Sequence, residues 1–177
     1  MPPFGYAEIR ALLPHRYPML MVDAVIALVP HVSIVAVKCV TRNEPCYARL
    51  PDDATPRQTA YPVSLILESF SQSGVILWMQ GTSSQRSDGV LMFGVARDCV
   101  FERDVYPGDT MEHRVILNRV VADSLFFSGE TWVGDKRVAR LGWLVAVIRA
   151  REDLAPHASE TGGHSPRNDT VSVQPLY

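Results

Sequence analysis

The sequence lacks several features that would assign it to common structural classes. Its three cysteines are odd in number and have neither CxxC nor Cys/His ligand spacing. This pattern supports neither a disulfide framework nor a zinc site, so no metal is predicted. Unpaired cysteines fit a reducing compartment, and we expect the protein to be cytoplasmic.

Long hydrophobic runs and an excess of positive charge are also missing. No stretch approaches the roughly 18 apolar residues of a membrane-spanning helix. The first 16 residues contain acidic and basic side chains in place of the apolar core of a signal peptide. The formal net charge is -2, whereas nucleic-acid-binding proteins usually carry a basic excess. We expect a soluble protein with neither a membrane nor a nucleic-acid partner.

The residues that are present predict one globular domain. The chain has 177 residues, of which 47% are hydrophobic, enough to bury a substantial core. This domain is expected to span residues 1–151. Residues 152–177 are rich in proline, serine, threonine and glycine, which predicts a mobile C-terminal tail.

Local patterns predict one long buried helix between groups of strands. From residue 63 to about residue 80 the chain has no proline, one glycine and apolar side chains almost all round. A short helix near residues 6–13 and a valine-rich hairpin within residues 24–45 precede it. Four strand-like segments follow, separated by the turns YPGD, ADS and GDK, and predict an antiparallel meander. The result is an α+β domain with an antiparallel sheet wrapped around one long central helix, and a sheet edge that a second subunit can cover.

Four motifs, LLPHRYPMLMVD, AVKCVTRNEP, LILESFSQSG and VYPGD, occur in this order along the chain. Together they resemble the successive motifs of FabZ-type 3-hydroxyacyl-acyl-carrier-protein dehydratases over roughly residues 6–150. One motif alone is weak evidence, but the ordered set is specific. The resemblance implies a hot-dog fold and a dimer. It also implies a tunnel at the dimer interface for an acyl chain on the phosphopantetheine of an acyl carrier protein, with no other cofactor.

The glutamate in the central helix is the main candidate for a catalytic residue. An ionised carboxylate is costly to bury without a partner, so Glu68 is expected to have either a charged or hydrogen-bonding partner or a functional role. Members of the family use a histidine from a GHFPG loop of one subunit and a glutamate from the central helix of the other. Glu68 matches that glutamate. Gln72 lies four residues later on the same helix face, where its amide can orient the carboxylate.

The loop that should carry the histidine departs from the family pattern. ARLPDD stands where the family has GHFPG, and no histidine occurs between His31 and His113. Arg49 is the expected occupant of the histidine position. Because a guanidinium stays charged at physiological pH, Arg49 cannot take a proton from the substrate. A homodimer of this chain is therefore expected to be a very poor dehydratase.

Several other residues are candidate substitutes for the missing base. Those in or near the altered loop are Cys46, Tyr47, Asp52, Asp53 and Tyr61. An aspartate could serve as a base, although aspartates in such loops are more often turn residues.

The histidines of the chain are assigned other positions. His15, within LPHR, is expected to be structural or to line the substrate site. His31 is predicted in a turn, His113 on an exposed strand face, and His157 and His164 in the tail.

Further residues are candidates for substrate binding. Main-chain amides at the start of the central helix, from about Ser64, can polarise a thioester carbonyl. Val63 replaces the glycine of the family's PGV and can narrow that site. Phe93 is a candidate for lining the acyl tunnel, together with His15. The VYPGD turn is expected to be structural.

These observations lead to one main functional prediction and two alternatives. The main prediction is a FabZ-like subunit of a carrier-protein-dependent dehydratase of the polyketide or fatty-acid type. It is expected to be active only as a heterodimer with a histidine-bearing paralogue, to which it gives Glu68. One alternative is a non-catalytic scaffold or carrier-protein-binding subunit. The other is a thioesterase or isomerase on the same fold, with Asp52 or Asp53 recruited.

Overall fold

The computed structural model describes residues 4–81 and 89–150, so the predicted tail, 152–177, lies outside the described residues. The helices are α1 (Tyr6–Leu12) and α2 (Val63–Gly81), with short 3-10 helices at Pro45–Tyr47 and Pro56–Thr59. The strands are β1 (Ala24–Val29), β2 (Ser33–Cys39), β3 (Gly89–Phe101), β4 (Thr110–Val121), β5 (Ser124–Val133) and β6 (Lys136–Ala150). The predicted helices, hairpin and four later strands are all confirmed.

The strands form one antiparallel sheet in the order β1-β2-β4-β5-β6-β3. The predicted meander is correct for β4, β5 and β6 but wrong for β3, which pairs with β6 while β4 pairs with β2. The connection from β3 to β4 explains the difference. Its main chain is hydrogen-bonded to Val40 just after β2, through Gly108 N and Asp109 O. These bonds place the start of β4 beside β2 and leave β3 to pair at the far edge.

The VYPGD segment in this connection is a tight turn, as predicted. Gly108 has φ 104°, a conformation that glycine adopts without steric cost. The Asp109 carboxylate accepts a hydrogen bond from Tyr106 N at 2.8 Å. The turn therefore has a structural role in joining β3 to β4.

The sheet wraps around α2, whose burial agrees with the prediction of a core helix. No residue from 65 to 80 is exposed, and Ile66, Phe70, Ile76 and Leu77 are at most 1% exposed. The helix begins directly after Pro62, whose carbonyl accepts from the amides of residues 65 and 66. This arrangement of one long helix within an antiparallel sheet is an α+β hot-dog fold. No helix of the described residues is long and apolar enough to cross a membrane.

His113 is buried, which corrects the prediction of an exposed strand residue. Its side chain is 0% exposed and lies between Ser69 Oγ and Thr131 Oγ1, each 2.9 Å from a ring nitrogen. Burial, followed by the charge of Lys38, lowers its pKa from 6.5 to about 3. Strand alternation explains the position, because Met111 and His113 point to the same face of β4.

Candidate active site

Glu68 lies on α2 at a small cleft between the helix and the sheet. Its side chain is 28% exposed. The polar residues of the cleft are His15, Glu68, Ser71 and Gln72, and its apolar wall is formed by Phe70, Val75, Phe93, Phe127, Leu144 and Ala146. The structure thus brings together four predicted site residues, Glu68, Gln72, His15 and Phe93. A half-buried carboxylate beside an apolar wall can approach a reacting group while the wall holds an acyl chain.

Gln72 holds the Glu68 carboxylate in place. Its Nε2 donates to Glu68 Oε1 at 2.8 Å and to Met19 O at 2.6 Å. Its Oε1 accepts from Met21 N at 2.9 Å. Gln72 is 1% exposed, so this amide is clamped between the segment before β1 and the glutamate. The predicted orienting contact is present in the structure.

His15 approaches the same carboxylate from the segment after α1. Its Nε2 lies 3.6 Å from Glu68 Oε1, beyond ordinary hydrogen-bond distance but close enough to tighten on substrate binding. Its Nδ1 is buried without a hydrogen-bond partner among the described residues. Motif resemblance placed His15 near the substrate, but no spacing rule predicted its contact with Glu68, which lies 53 positions further along the chain.

The altered loop lies apart from this cleft in the same chain. Arg49, Asp52 and Asp53 are exposed, and none of them lines the cleft. Val63 and Ser64, at the exposed start of α2, are also outside its lining. Within one chain, therefore, the structure does not bring Arg49 and Glu68 together.

Three of the proposed substitute bases are unsuited to proton abstraction. Burial, followed by the charge of Glu44, raises the pKa of the Cys46 thiol. Burial also raises the pKa of Tyr47 to about 12 and raises that of Tyr61 further. Both tyrosines are at most 2% exposed, so their rings cannot reach a substrate in the cleft. Cys46, Asp52 and Asp53 are all exposed, but the raised pKa of the Cys46 thiol makes it the poorer base, so the two aspartates stay the candidate substitutes.

The cleft opens at an edge of the sheet. Phe93 lines the cleft and belongs to β3, one of the two edge strands of the six-stranded sheet. It is 45% exposed. Met92, Val95 and Val100 on the same strand are similarly exposed apolar residues. An unpaired apolar edge strand is a surface that pairing with another chain would cover.

No metal site accompanies the cleft within residues 4–81 and 89–150. These residues contain no group of three or more histidine, cysteine, aspartate or glutamate side chains placed to hold an ion. The polar side chains that line the cleft carry a carboxylate, an amide, a hydroxyl and an imidazole group.

No protein-family model matches the chain, but individual proteins do. It is 34% identical over 142 residues to the 3-hydroxyacyl-(acyl-carrier-protein) dehydratase FabZ of Caulobacter vibrioides, covering 80% of this chain and 87% of that protein. It is 36% identical over 131 residues to FabZ of Pseudoalteromonas translucida, covering 74% and 85%. The chain belongs to the FabZ dehydratase family.

Solved structures show the same fold. A structure of the dehydratase heterocomplex ApeI:P from Xenorhabdus doucetiae matches with a TM-score of 0.64 and 17% identity, covering 82% of this chain and 93% of that chain. Cj0977, a sigma28-regulated virulence protein from Campylobacter jejuni, matches with a TM-score of 0.57 and 14% identity, covering 82% and 94%. These likenesses confirm the hot-dog architecture of this member of the FabZ family.

Proposed function

We propose that this chain is a subunit of a carrier-protein-dependent 3-hydroxyacyl thioester dehydratase, active as a heterodimer with a histidine-bearing paralogue. The observation that carries the proposal is an oriented glutamate in a cleft that opens at an unpaired edge strand. Glu68 and Gln72 supply one half of a dehydration site, while the loop around Arg49 has no histidine to supply the other half.

The proposed reaction needs an acid and a base on opposite sides of one carbon-carbon bond. Protonated Glu68 gives its proton to the C3 hydroxyl, and the C3–O bond breaks to release water. The partner's histidine takes the proton from C2, and the electron pair of that C–H bond forms the double bond. Main-chain N–H groups at the start of α2, near Ser64, stabilise the negative charge on the thioester oxygen. Solvent exchange returns both side chains to their starting protonation states.

Neither Arg49 nor His15 of this chain replaces the partner's histidine. Arg49 keeps its charge and cannot accept the C2 proton. His15 presents Nε2 to the Glu68 carboxylate, while its Nδ1 is buried. In this arrangement neither ring nitrogen of His15 is free to accept the C2 proton. The missing function is therefore assigned to another subunit.

The exposed edge of the sheet is where we place that subunit. A strand of a partner paired with β3 would cover its apolar side chains and lie against Phe93 at the mouth of the cleft. A loop of that partner could then approach Glu68 from outside. The fold likeness to a dehydratase heterocomplex supports an assembly of this kind, and the FabZ relatives support an acyl carrier protein as the carrier of the substrate.

Reconstitution tests the proposal. The chain is purified alone and together with a FabZ-like paralogue that has an intact histidine loop, and each sample is assayed with a 3-hydroxyacyl carrier protein by mass spectrometry. We expect loss of water in the paired sample, exceeding both the chain alone and the paralogue alone. Equal activity of the chain alone would refute the heterodimer. Release of free acid or a shifted double bond would instead indicate a thioesterase or an isomerase.

A further inference from the structure

The two carboxylate oxygens of Glu68 have different surroundings. Oε1 accepts a hydrogen bond from Gln72 Nε2 at 2.8 Å and faces His15 Nε2 at 3.6 Å. None of the hydrogen bonds formed among the described residues reaches Oε2. Within residues 4–81 and 89–150, therefore, the carboxylate is held through Oε1.

The contacts of Gln72 determine which of its groups faces Glu68. The amide of Met21 is a donor, so the Gln72 atom beside it is the carbonyl oxygen. The carbonyl of Met19 is an acceptor, so it faces the Gln72 nitrogen. That nitrogen has a second N–H, and this one points to Glu68 Oε1. A proton on Oε1 would therefore face the N–H of Gln72, another hydrogen-bond donor. The Gln72 amide cannot rotate to avoid it, because its other contacts are with main-chain atoms of Met19 and Met21.

The surroundings of His15 favour one tautomer of its neutral ring. Hydrogen on Nε2 places a donor beside Glu68 Oε1 and leaves only a lone pair on the buried Nδ1. Hydrogen on Nδ1 would bury an N–H without a partner and turn the Nε2 lone pair toward the carboxylate. Both features are unfavourable, and buried N–H groups without a partner are rare in proteins.

We propose that His15 is a positioning residue in its Nε2–H tautomer, and that His15 and Gln72 together keep the acidic proton of Glu68 on Oε2. This inference rests on the proposed role of Glu68 as the acid. The O–H bond that breaks during dehydration is then the one at Oε2, and its proton passes to the departing C3 hydroxyl. Oε1 carries no proton: it accepts the hydrogen bond from Gln72 and faces the His15 N–H at 3.6 Å, a distance that shortens to a hydrogen bond as the carboxylate forms.

Nitrogen NMR on the chain alone tests the tautomer without any activity measurement. A long-range proton-nitrogen spectrum of labelled protein in alkaline buffer, assigned by the signals lost in His15→Gln, reports which ring nitrogen carries hydrogen. We expect an unprotonated Nδ1 and a protonated Nε2. In Glu68→Ala this preference should weaken, because the carboxylate that selects it is gone. Hydrogen on Nδ1, or an equal mixture of tautomers in the unsubstituted chain, would overturn the proposal.

Kinetics of the reconstituted pair test the effect on the proton donor. His15→Leu removes the N–H donor, whereas His15→Gln keeps one near the place of Nε2. We expect His15→Leu to lower kcat about threefold to tenfold with little change in KM, the effect of losing one hydrogen bond to a charged group. His15→Gln should restore most of the loss. Equal kcat in all three proteins would refute the positioning role.

The two measurements separate this inference from the proposed function. The expected His15 tautomer in a chain whose pair shows no dehydration would support the arrangement of His15 and Glu68 and refute the dehydratase. An active pair in which His15 carries its hydrogen on Nδ1 would support the dehydratase and refute the proposed arrangement of His15 and Glu68.

Discussion

Lys38 on β2 and Glu44, in the segment that leads to the altered loop, form a short ion pair. Lys38 Nζ lies 2.6 Å from Glu44 Oε1 and also donates to Cys39 O, and both charged side chains are at least 87% buried. Asp23 lies further away, 3.8 Å from the same nitrogen. Because Glu44 begins the segment that leads to Arg49, this pair fixes the end of β2 to the start of the loop.

Removing one member of this pair is predicted to destabilise the fold. Glu44→Gln leaves a buried ammonium with Asp23 as its remaining carboxylate, and we expect the free energy of unfolding in urea to fall by about 2 kcal/mol. Glu102→Gln is the matched control, because Glu102 pairs with Arg137 at a more exposed site. It should cost much less, because solvent screens exposed ion pairs and they contribute little to stability. Equal costs in the two variants would show that burial of the Lys38 pair is unimportant for stability.

His113 predicts a dependence of stability on pH. Burial lowers the pKa of His113 from its ordinary value of 6.5 to about 3 in the folded protein, so between these two pH values the unfolded chain binds more protons than the folded one. The free energy of unfolding should therefore decrease as the pH falls from 6.5 toward 3, by up to about 1.4 kcal/mol per pH unit from this group. Urea titrations at several pH values between these limits measure the slope.

His113→Gln is the control for this slope, because it keeps polar contacts and cannot titrate. The variant should be less stable at neutral pH, but its stability should decline less steeply with acid. An unchanged slope would mean that another group, and not His113, controls the acid sensitivity.

Glu68→Gln is predicted to reduce turnover of the reconstituted pair by about 100-fold, because the amide cannot donate the proton of a carboxylic acid. KM should change little, since the two side chains have almost the same shape. Glu112→Gln, which alters an exposed pair with Arg114, is the control and should leave turnover unchanged. Full activity of Glu68→Gln would favour the scaffold function, with catalysis provided entirely by the partner.

Sequence patterns predicted the elements of this fold well because each has a strong local cause. Val63 follows Pro62 at the start of α2, and the apolar residues that follow give the helix its burial. The sheet order was not predictable in this way, since hydrogen bonds between Val40 and the distant VYPGD turn place β4 beside β2, while β3 pairs with β6.

The candidate site was also predictable only in part. Gln72 was predicted to meet Glu68 because four residues form about one helical turn. Its contacts with Met19 and Met21 involve main-chain atoms, which every residue type has, so the sequence could not reveal them. His113 could have been placed in the core from the alternation of its strand, but its polarity suggested exposure.

Arg49→His tests whether the missing imidazole alone disables the chain. In the protein purified without a partner, this replacement restores a group that can titrate near neutral pH. It does not restore the other residues of the GHFPG loop or the glycine replaced by Val63. We therefore expect dehydration by Arg49→His to stay below a tenth of the activity of the reconstituted pair, a gap of about 1.4 kcal/mol or more in the barrier. Activity equal to the pair would show that the loop is otherwise intact.

The same position in the reconstituted pair tests whether the second pocket, formed by Arg49 and the partner's glutamate, is idle. If the working site uses Glu68 of this chain and the partner's histidine, Arg49 takes no part in it. Arg49→His should then raise turnover by about twofold at most, the limit set by a second working acid-base site.

Arg49→Ala should leave turnover of the first site unchanged. Loss of activity in Arg49→Ala would mean instead that the guanidinium binds an essential anion, such as a phosphate of the carrier arm, for which its geometry is suited. Comparing KM for the carrier protein in Arg49→Ala and Arg49→Lys would then show whether that anion needs a charge or the two-pronged guanidinium.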